Sequence, residues 1–226
     1  GSGSGAEGIS GALRRSFEMG SVFGIISEET PKHAVTHTDE KFNVRRYEPI
    51  LVAEVDQEGK DQGNAFRTLA KYIGVFTTPE NSAQGKPQAM AMTAPVFMSA
   101  DKAPEKIAMS APVMTSEGEG SKKTMAFVLP SKFTLESVPM PTNPAVKVRQ
   151  IPGRVCAVHT FTGSFPRIDG AGPKADWFIN LLTEKGYTVH PTAKWELAGY
   201  NPPWTIPFLR TNEIHVPIVA GPGVSV

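Results

Sequence analysis

Cysteine and histidine are the side chains that most often attack substrates or bind metals, and this chain has one cysteine and five histidines. Cys156 and His159 lie three residues apart, so a thiol and a base stand close in sequence, as a nucleophilic pair would require. The segment around them is typical of a strand, and residues three apart on a strand face opposite sides of the sheet. We therefore expect a buried, unreactive thiol at Cys156 rather than a catalytic pair.

Other arrangements of reactive residues are equally unpromising for catalysis. His33 and His37 are four residues apart, the spacing of a helical metal pair, but their segment contains Pro31 and Val35 and reads as extended. The sequence has none of the signatures of serine hydrolases, zinc metalloproteases, P-loop proteins or Rossmann dehydrogenases. A single cysteine also excludes an internal disulfide and a cysteine-based zinc cluster. We expect no catalytic residue and no protein-bound metal.

Composition indicates one folded domain with an ordinary surface. The 226 residues are 40% hydrophobic and 20% charged, with 23 basic and 22 acidic side chains. No basic block stands out and no apolar run has membrane-spanning length, so we expect neither a nucleic-acid partner nor a membrane span. We interpret residues 1–18 as a GSGSG tag and a disordered leader, 19–219 as the domain and 220–226 as a flexible tail. Cysteine usage favours the cytoplasm, with a plastid as the alternative.

One phrase occurs twice, as MAMTAPVFM at residues 90–98 and IAMSAPVMT at residues 107–115. Apolar residues alternate in both copies, and corresponding positions are 17 residues apart, so we expect a hairpin with its loop near residues 99–106. Pro95 and Pro112 cannot donate to a ladder and belong at an edge, a strand start or a bulge. The methionines are either core fillers or an adaptable wall for a large flat ligand.

The flanking elements follow from hydrophobic periodicity. Residues 42–55 and 124–129 are predicted strands. Between them, a helix runs from a cap at Asn64 to a stop at Gly74, and its apolar face contains Phe66, Leu69, Ala70 and Ile73.

The second half of the chain repeats this order of elements. A hairpin is predicted at residues 146–151 and 154–161 around Pro152 and Gly153. A second helix has Pro173 in its first turn, ends at Gly186 and includes Trp177 in its apolar face. Strands at 187–190, 194–200 and 212–218 complete the chain. The order of elements favours an α+β domain of two similar halves, each laying one helix on an antiparallel sheet.

Residues 199–210 read GYNPPWTIPFLR and cannot form a regular helix or strand, because three of the twelve residues are prolines. A loop rarely exposes Trp204 and Phe208 to solvent. Either the segment folds back on the core, or it forms the lip of an apolar cleft. Arg210 and Arg45 could neutralise a carboxylate, with surface ion pairs as the alternative.

Several segments together resemble the SOUL/haem-binding protein family, in its cytosolic plant and algal form. They are FNVRRYEP (42–49), FRTLAKYIG (66–74), MTAPV (92–96) with its echo MSAPV (109–113), MAFVLP (125–130) and YNPPWTIPFLRTNEIHVPI (200–218). The resemblance covers nearly all of residues 19–219. It implies a distorted antiparallel β-barrel of two pseudo-symmetric halves with two helices, related to GyrI-like domains.

The resemblance also implies a function, namely reversible, non-covalent binding of haem or a related tetrapyrrole by a porphyrin carrier or buffer, without catalysis. Two alternatives stay open. One is a tetrapyrrole-processing enzyme. The other is a protein-interaction or effector-sensing module that uses residues 199–210 as a docking surface.

In the family the porphyrin lies against the first helix and the loop before the last strand. The implied contacts are Phe66, Leu69, Ala70, Ile73, Trp204, Pro207, Phe208 and Arg210, with Met92 and Met109 as weaker candidates and Arg45, Arg67 and Lys71 as propionate partners. Leu69→Asp should then abolish binding and leave the fold intact. A histidine proposed as iron ligand in some animal members has no clear counterpart here, so ligation by His or Met is open. We expect replacement of His159 or His190 to leave affinity nearly unchanged.

Overall fold

The computed structural model describes residues 23–57, 62–75, 77–100, 123–166, 168–192, 194–202 and 204–224. Its strands are β1 (His33–Thr38), β2 (Asn43–Tyr47), β3 (Ile50–Gln57), β4 (Asn81–Ser82), β5 (Val96–Ala100), β6 (Lys123–Val128), β7 (Met140–Pro141), β8 (Lys147–Ile151), β9 (Arg154–Thr162), β10 (Thr188–Val189), β11 (Glu196–Gly199) and β12 (Thr211–Ala220). The helices are α1 (Gln62–Ile73) and α2 (Ile168–Glu184), and a 3-10 turn spans Pro207–Leu209.

Within the described ranges, ten strands form one antiparallel sheet. Its order is β1-β2-β9-β12-β11-β5-β6-β3-β8, with β10 paired to β12, while β4 and β7 form a separate short pair. The strands β5 and β11 lie side by side in the middle, and each half of the sheet extends outward from them.

Two prolines bend the ribbon that joins the ends of this sheet. Tyr47 of β2 pairs with Arg154 of β9, and Ile50 of β3 pairs with Ile151 of β8, so the same register continues across the gap. Pro49 and Pro152 interrupt the ladder there because proline has no N–H to donate. Since β2–β9 and β3–β8 lie at opposite ends of the strand order, the continuous ribbon curls the sheet into a distorted antiparallel barrel. The α+β fold expected from the sequence is confirmed.

The two faces of the sheet bury different kinds of side chains. The face under the helices is apolar and includes Val44, Leu51, Ala53, Val55, Met125, Phe127, Ala157, Leu197, Ile214 and Val216. Leu69 of α1 and Phe178 of α2 belong to the same core. The opposite face combines smaller apolar clusters with a buried charged group that includes Glu213 and His215. Both faces arise from strict alternation along the strands.

The helix ends were predicted more accurately than the helix starts. Gly74 and Gly186 follow α1 and α2 with φ of +80° and +81°, a left-handed conformation that favours glycine, which confirms both stops. The predicted start of α2 at Pro173 is wrong, because the helix begins at Ile168 and Pro173 lies inside it.

Strand pairing corrects two further predictions. The expected hairpin at Pro152 and Gly153 does not form, because β8 pairs with β3 whereas β9 pairs with β2 and β12. The expected strand at residues 42–55 is split into β2 and β3 at the bend. Of the twin phrase, the first copy enters β5 at Val96 and pairs with β6 and β11. The second copy, with Met109, lies outside the described residues, as does the 1–18 leader.

Candidate functional site

The loop between β11 and β12, residues 201–210, carries two large exposed aromatic side chains. Trp204 is 59% exposed and Phe208 is 70% exposed. The sequence left open whether this segment folds back on the core or forms a lip. The exposure of both rings favours a lip over a segment folded back on the core, and we call residues 201–210 the lip.

Hydrogen bonds within the lip make it a defined structure. The Asn201 side chain accepts a hydrogen bond from the Thr211 N–H at 2.7 Å and donates one to the carbonyl of Gly24 at 3.2 Å. Nε of Arg210 donates to the carbonyl of Thr205 at 2.7 Å. These bonds close the loop on itself and join its first residue to the N-terminal segment at Gly24.

The N-terminal segment extends the apolar surface of the lip. A Cβ on Gly24 would lie 2.3 Å from the carbonyl oxygen of Leu209, so the two segments touch directly. Phe23 and Ile25 flank this contact and are both exposed. Four large apolar side chains are therefore exposed on two segments that touch each other, and such concentrations commonly mark binding sites.

The last residues of β9 form an open edge beside the lip. Pairing of β2 with β9 stops at Asn43 and Val158, whereas β9 continues to Thr162 and stays paired with β12 on its other side. In the part of the chain that the structure describes, no strand covers residues 159–162 on the β2 side. We call this edge the notch. The Gly163 N–H donates to the carbonyl of Pro207 at 3.0 Å, which places the lip at the end of the notch.

Aromatic rings line the notch on the side of α2. The ring of His159 lies 5.0 Å from that of Trp177, and 6.1 Å from that of Phe161, which is nearly parallel to it. Trp177 is 41% exposed, although the sequence assigned it to the apolar face of its helix. Lys174 places Nζ 4.9 Å from the centre of the Phe161 ring. The notch thus combines ring surfaces, an imidazole and a cation.

The predicted contacts on α1 have a different environment. Leu69 and Ala70 are 0% exposed and Ile73 is 2% exposed, so a ligand could reach them only if the helix moved. Phe66 is half-buried, with its ring 5.3 Å from that of Phe127. The role of these residues as ligand contacts stays a prediction, but only Phe66 of the four is open to solvent.

The predicted propionate partners are dispersed. Arg67 and Lys71 are exposed on α1, where Lys71 also lies 3.7 Å from the Glu80 carboxylate. Arg45 lies on the sheet face away from the helices and forms a two-point ion pair with Glu213. Met92 is half-buried against the main core. Of the thirteen predicted contacts, the structure brings together those of the lip: Trp204, Pro207, Phe208 and Arg210.

Comparison with known proteins identifies the family. The sequence profile described as SOUL heme-binding protein matches residues 28–217, most of the chain. The chain belongs to the SOUL heme-binding family. Comparison with curated protein sequences returned no significant match.

Solved structures support the fold of this SOUL protein. The C-terminal domain of EcmrR matches with a TM-score of 0.50 at 11% identity, over 84% of this chain and 98% of that one. A structure described as a hydrolase from Listeria innocua matches with a TM-score of 0.50 at 15% identity, over 80% of this chain and 93% of that one. At such identities the likeness concerns the fold alone.

The residues of the notch suit the ligand that names the family. Haem is a flat apolar plate that carries two carboxylates and a central iron. Exposed aromatic faces at Trp177 and Phe208 can stack on such a plate, and Lys174 offers a positive charge to a carboxylate. His159 offers an imidazole, a common iron ligand.

Cys156 offers no reactive thiol to this site. It is fully buried on the face opposite His159, as the sequence predicted. Burial raises the pKa of its thiol to about 12, so the thiolate that reacts with substrates is scarce at neutral pH.

A separate cavity of about 370 Å³ has a charge that does not suit a dianionic plate. Its walls are residues 29–32, 48–51, 128–131 and 133–136, with Thr93 and Gln150. Glu29, Glu48 and Glu136 contribute three carboxylates against the ammonium of Lys32. Like charges would oppose haem propionates there, so we do not assign haem to this cavity.

Among the described residues, no group of three His, Cys, Asp or Glu side chains is arranged to hold a metal ion. Neither α1 nor α2 has the length and hydropathy that crossing a bilayer requires.

Sequence reasoning missed His159, Phe161, Lys174 and Trp177 as a group. Their spacing contained a usable signal, since His159 and Phe161 alternate on one strand face and Lys174 and Trp177 are neighbours on one helix face. The sequence did not show that β9 extends beyond β2, and this extension is what opens the notch.

Proposed function

We propose that this SOUL protein is a carrier or buffer that binds haem or a related tetrapyrrole reversibly on the surface formed by the notch and the lip. The observation that carries the proposal is the exposure of two rings at the open end of β9, in a chain of a haem-binding family. Trp177 lies beside His159, and Phe208 follows Pro207, whose carbonyl accepts the hydrogen bond from Gly163. Concentrations of exposed apolar side chains commonly mark interaction sites.

Apolar contact supplies the affinity in this proposal. At about 25 cal/mol per Å², roughly 300 Å² of contact would contribute about 7.5 kcal/mol, before the cost of association. Lys174, beside the Phe161 ring, and Arg210, in the lip, are the cations proposed for the propionates. The open edge would allow release, and the protein would hold the ligand without altering it.

Titration of the protein with ferric haem tests binding. We expect a saturable change in the Soret band and quenching of tryptophan fluorescence. Trp177→Ala and Phe208→Ala should each weaken binding, because each removes a stacking surface. Met140→Ala is a matched control, since Met140 is 67% exposed but lies on β7, away from the notch. Unsaturable binding, or equal losses in all three variants, would refute the proposed surface.

Transfer to apomyoglobin separates a carrier from a permanent haem protein. A carrier should release its haem to excess apomyoglobin on a timescale set by dissociation. The absorption spectrum of the resulting myoglobin should show that the porphyrin ring is intact. Retention of haem would contradict a carrier role while leaving binding in place. Ring cleavage or loss of iron under reductant would favour a processing enzyme instead.

A further inference from the structure

We propose that His159 coordinates the iron of a haem bound in the notch, through its Nε2 atom. This inference rests on the proposed function and assigns a ligand within the same site. It reverses the expectation from the sequence that His159 could be replaced with little effect on affinity.

The hydrogen bond at the other ring nitrogen determines which atom is available. Nδ1 of His159 lies 2.7 Å from the backbone carbonyl oxygen of Lys41. A carbonyl oxygen only accepts hydrogen bonds, so Nδ1 must carry the proton. In the neutral imidazole, the lone pair is then on Nε2. Metal-binding histidines commonly donate their other N–H to a backbone carbonyl in this way, which fixes the tautomer and makes the ligand more basic.

The surrounding rings hold the imidazole in one orientation. Phe161 lies nearly parallel to it, at an interplanar angle of 16°, and the Phe178 ring lies 5.6 Å away. The Trp177 ring makes an angle of 69° with the imidazole at 5.0 Å. A porphyrin bound to an imidazole lies roughly perpendicular to the imidazole plane. The ring of Trp177 is therefore the neighbour that comes closest to lying parallel to the porphyrin, as stacking requires.

The other hydrogen-bonded histidines lack this combination. The Thr192 N–H donates to Nδ1 of His190 at 3.3 Å, which occupies the lone pair on that nitrogen. His215 is 1% exposed and donates from Nε2 to Glu213 at 2.9 Å.

His33 provides a natural control. Its Nδ1 lies 3.1 Å from the carbonyl of Pro31, so it has the same tautomer as His159. It lies on β1, where its ring is 5.0 Å from that of Tyr47. An exposed imidazole of the same tautomer, away from the notch, should not be the iron ligand.

The test compares His159→Gln with His33→Gln, using ferric protoporphyrin IX and metal-free protoporphyrin IX as probes. Glutamine can still donate to the Lys41 carbonyl, which preserves local structure, but its amide is a poor iron ligand. We expect His159→Gln to weaken binding of the iron porphyrin by at least about tenfold, since loss of even a partner of a ligating histidine costs that much in metal affinity. Its affinity for the metal-free porphyrin should not change.

Spectroscopy provides a readout that a purely structural role would not alter. The wild type and His33→Gln should show an iron–histidine stretch in the resonance Raman spectrum of the ferrous complex. His159→Gln should lose this band, and added imidazole should restore a nitrogen-ligated Soret spectrum. Should Gln disturb the fold by circular dichroism, His159→Asn replaces it in the same comparison.

The outcomes separate the two claims. If His159→Gln keeps the iron–histidine band, or the wild type binds haem without one, His159 is not the ligand and the proposed function stands. If the wild type fails to bind either porphyrin saturably, both claims fail. An equal loss for both probes also overturns the coordination, because only the iron porphyrin has an iron to bind.

Discussion

Arg45 donates two hydrogen bonds to the carboxylate of Glu213, at 3.1 and 3.0 Å, although 168 residues separate them in the chain. The same carboxylate accepts hydrogen bonds from Thr160 at 3.1 Å, Tyr200 at 2.6 Å and His215 at 2.9 Å. Glu213 is only 4% exposed, so this buried carboxylate is satisfied by donors from three strands and from Tyr200, which lies just before the lip. The cluster ties together the half of the barrel that carries the notch.

We predict that Glu213→Ala destabilises the fold by about 3–5 kcal/mol, because it leaves the buried guanidinium of Arg45 without a counter-charge. Urea denaturation provides the measurement. Lys147→Ala is the matched control. Its ion pair with Asp56 at 3.3 Å is largely exposed, and its loss should cost less than about 1 kcal/mol. Equal losses of unfolding free energy in the two variants would mean that burial does not make the ion pair of Arg45 more important for stability than the exposed pair of Lys147.

Glu213 should also make stability depend on pH in acid. Burial alone would raise the pKa of this carboxyl, but the hydrogen bond and charge of His215, the charge of Arg45 and the Tyr200 hydroxyl together lower it well below its ordinary value of 4.5. Below pH 4.5 the unfolded chain therefore binds a proton at this site that the folded chain does not, so its contribution to stability is present above that pH and is lost as the pH falls.

Glu213→Gln removes this titration, so its free energy of unfolding should fall less steeply than that of the wild type between about pH 4.5 and pH 3. The other carboxylates are common to both proteins and cancel in the difference. Parallel curves from denaturant titrations at each pH would contradict the assignment of a lowered pKa to Glu213.

Leu69→Asp should unfold the protein rather than remove ligand binding selectively. Leu69 is 0% exposed, so the substitution both empties core volume and buries a carboxylate, at a combined cost above about 3 kcal/mol. Lys71→Asp, two residues further along α1 on an exposed position, should cost far less. Thermal unfolding followed by circular dichroism compares them. A folded Leu69→Asp protein that fails to bind haem would restore α1 as a ligand surface.

Gly199→Ala should destabilise the junction between β11 and the approach to α2. A Cβ at Gly199 would lie 2.6 Å from a ring carbon of Phe165, so one of them must move. We expect a cost of about 1–3 kcal/mol, which a second substitution, Phe165→Ala, should partly relieve. Gly172→Ala in α2 meets nothing within 4 Å and should be neutral or stabilising by up to about 1 kcal/mol. The melting temperatures of Gly199→Ala, of the double variant that adds Phe165→Ala, and of Gly172→Ala test these expectations.

Asn201→Ala should weaken haem binding with little effect on melting temperature. The substitution removes the hydrogen bonds to Thr211 and Gly24 that hold the base of the lip, while the core beneath stays intact. Haem titration together with limited proteolysis of residues 201–210 measures both effects. Unchanged affinity with faster cleavage would show that an ordered lip is not needed for binding.

Local features of the structure were accessible from the sequence. Gly74 and Gly186 end their helices because glycine adopts the left-handed conformation more readily than other residues. Alternation along residues 124–129 placed Met125 and Phe127 on one face, and both belong to the main core. The prolines of residues 199–210 excluded regular structure, and the resemblance to SOUL proteins supplied the barrel.

Other features depended on contacts between distant segments. Periodicity shows which way a side chain points, but it does not show which strand lies alongside. The pairing of β8 with β3, the ion pair of Arg45 with Glu213 and the burial of the α1 face therefore could not be read from local pattern. The notch is the clearest case, because it exists only where β9 extends beyond the end of its neighbour β2. The sequence by itself determined which residues are apolar, which segments are helical and which segments proline keeps from regular structure. The closure of the sheet decided which of them are enclosed and which stay at an open edge, since burial follows from three-dimensional packing rather than from composition.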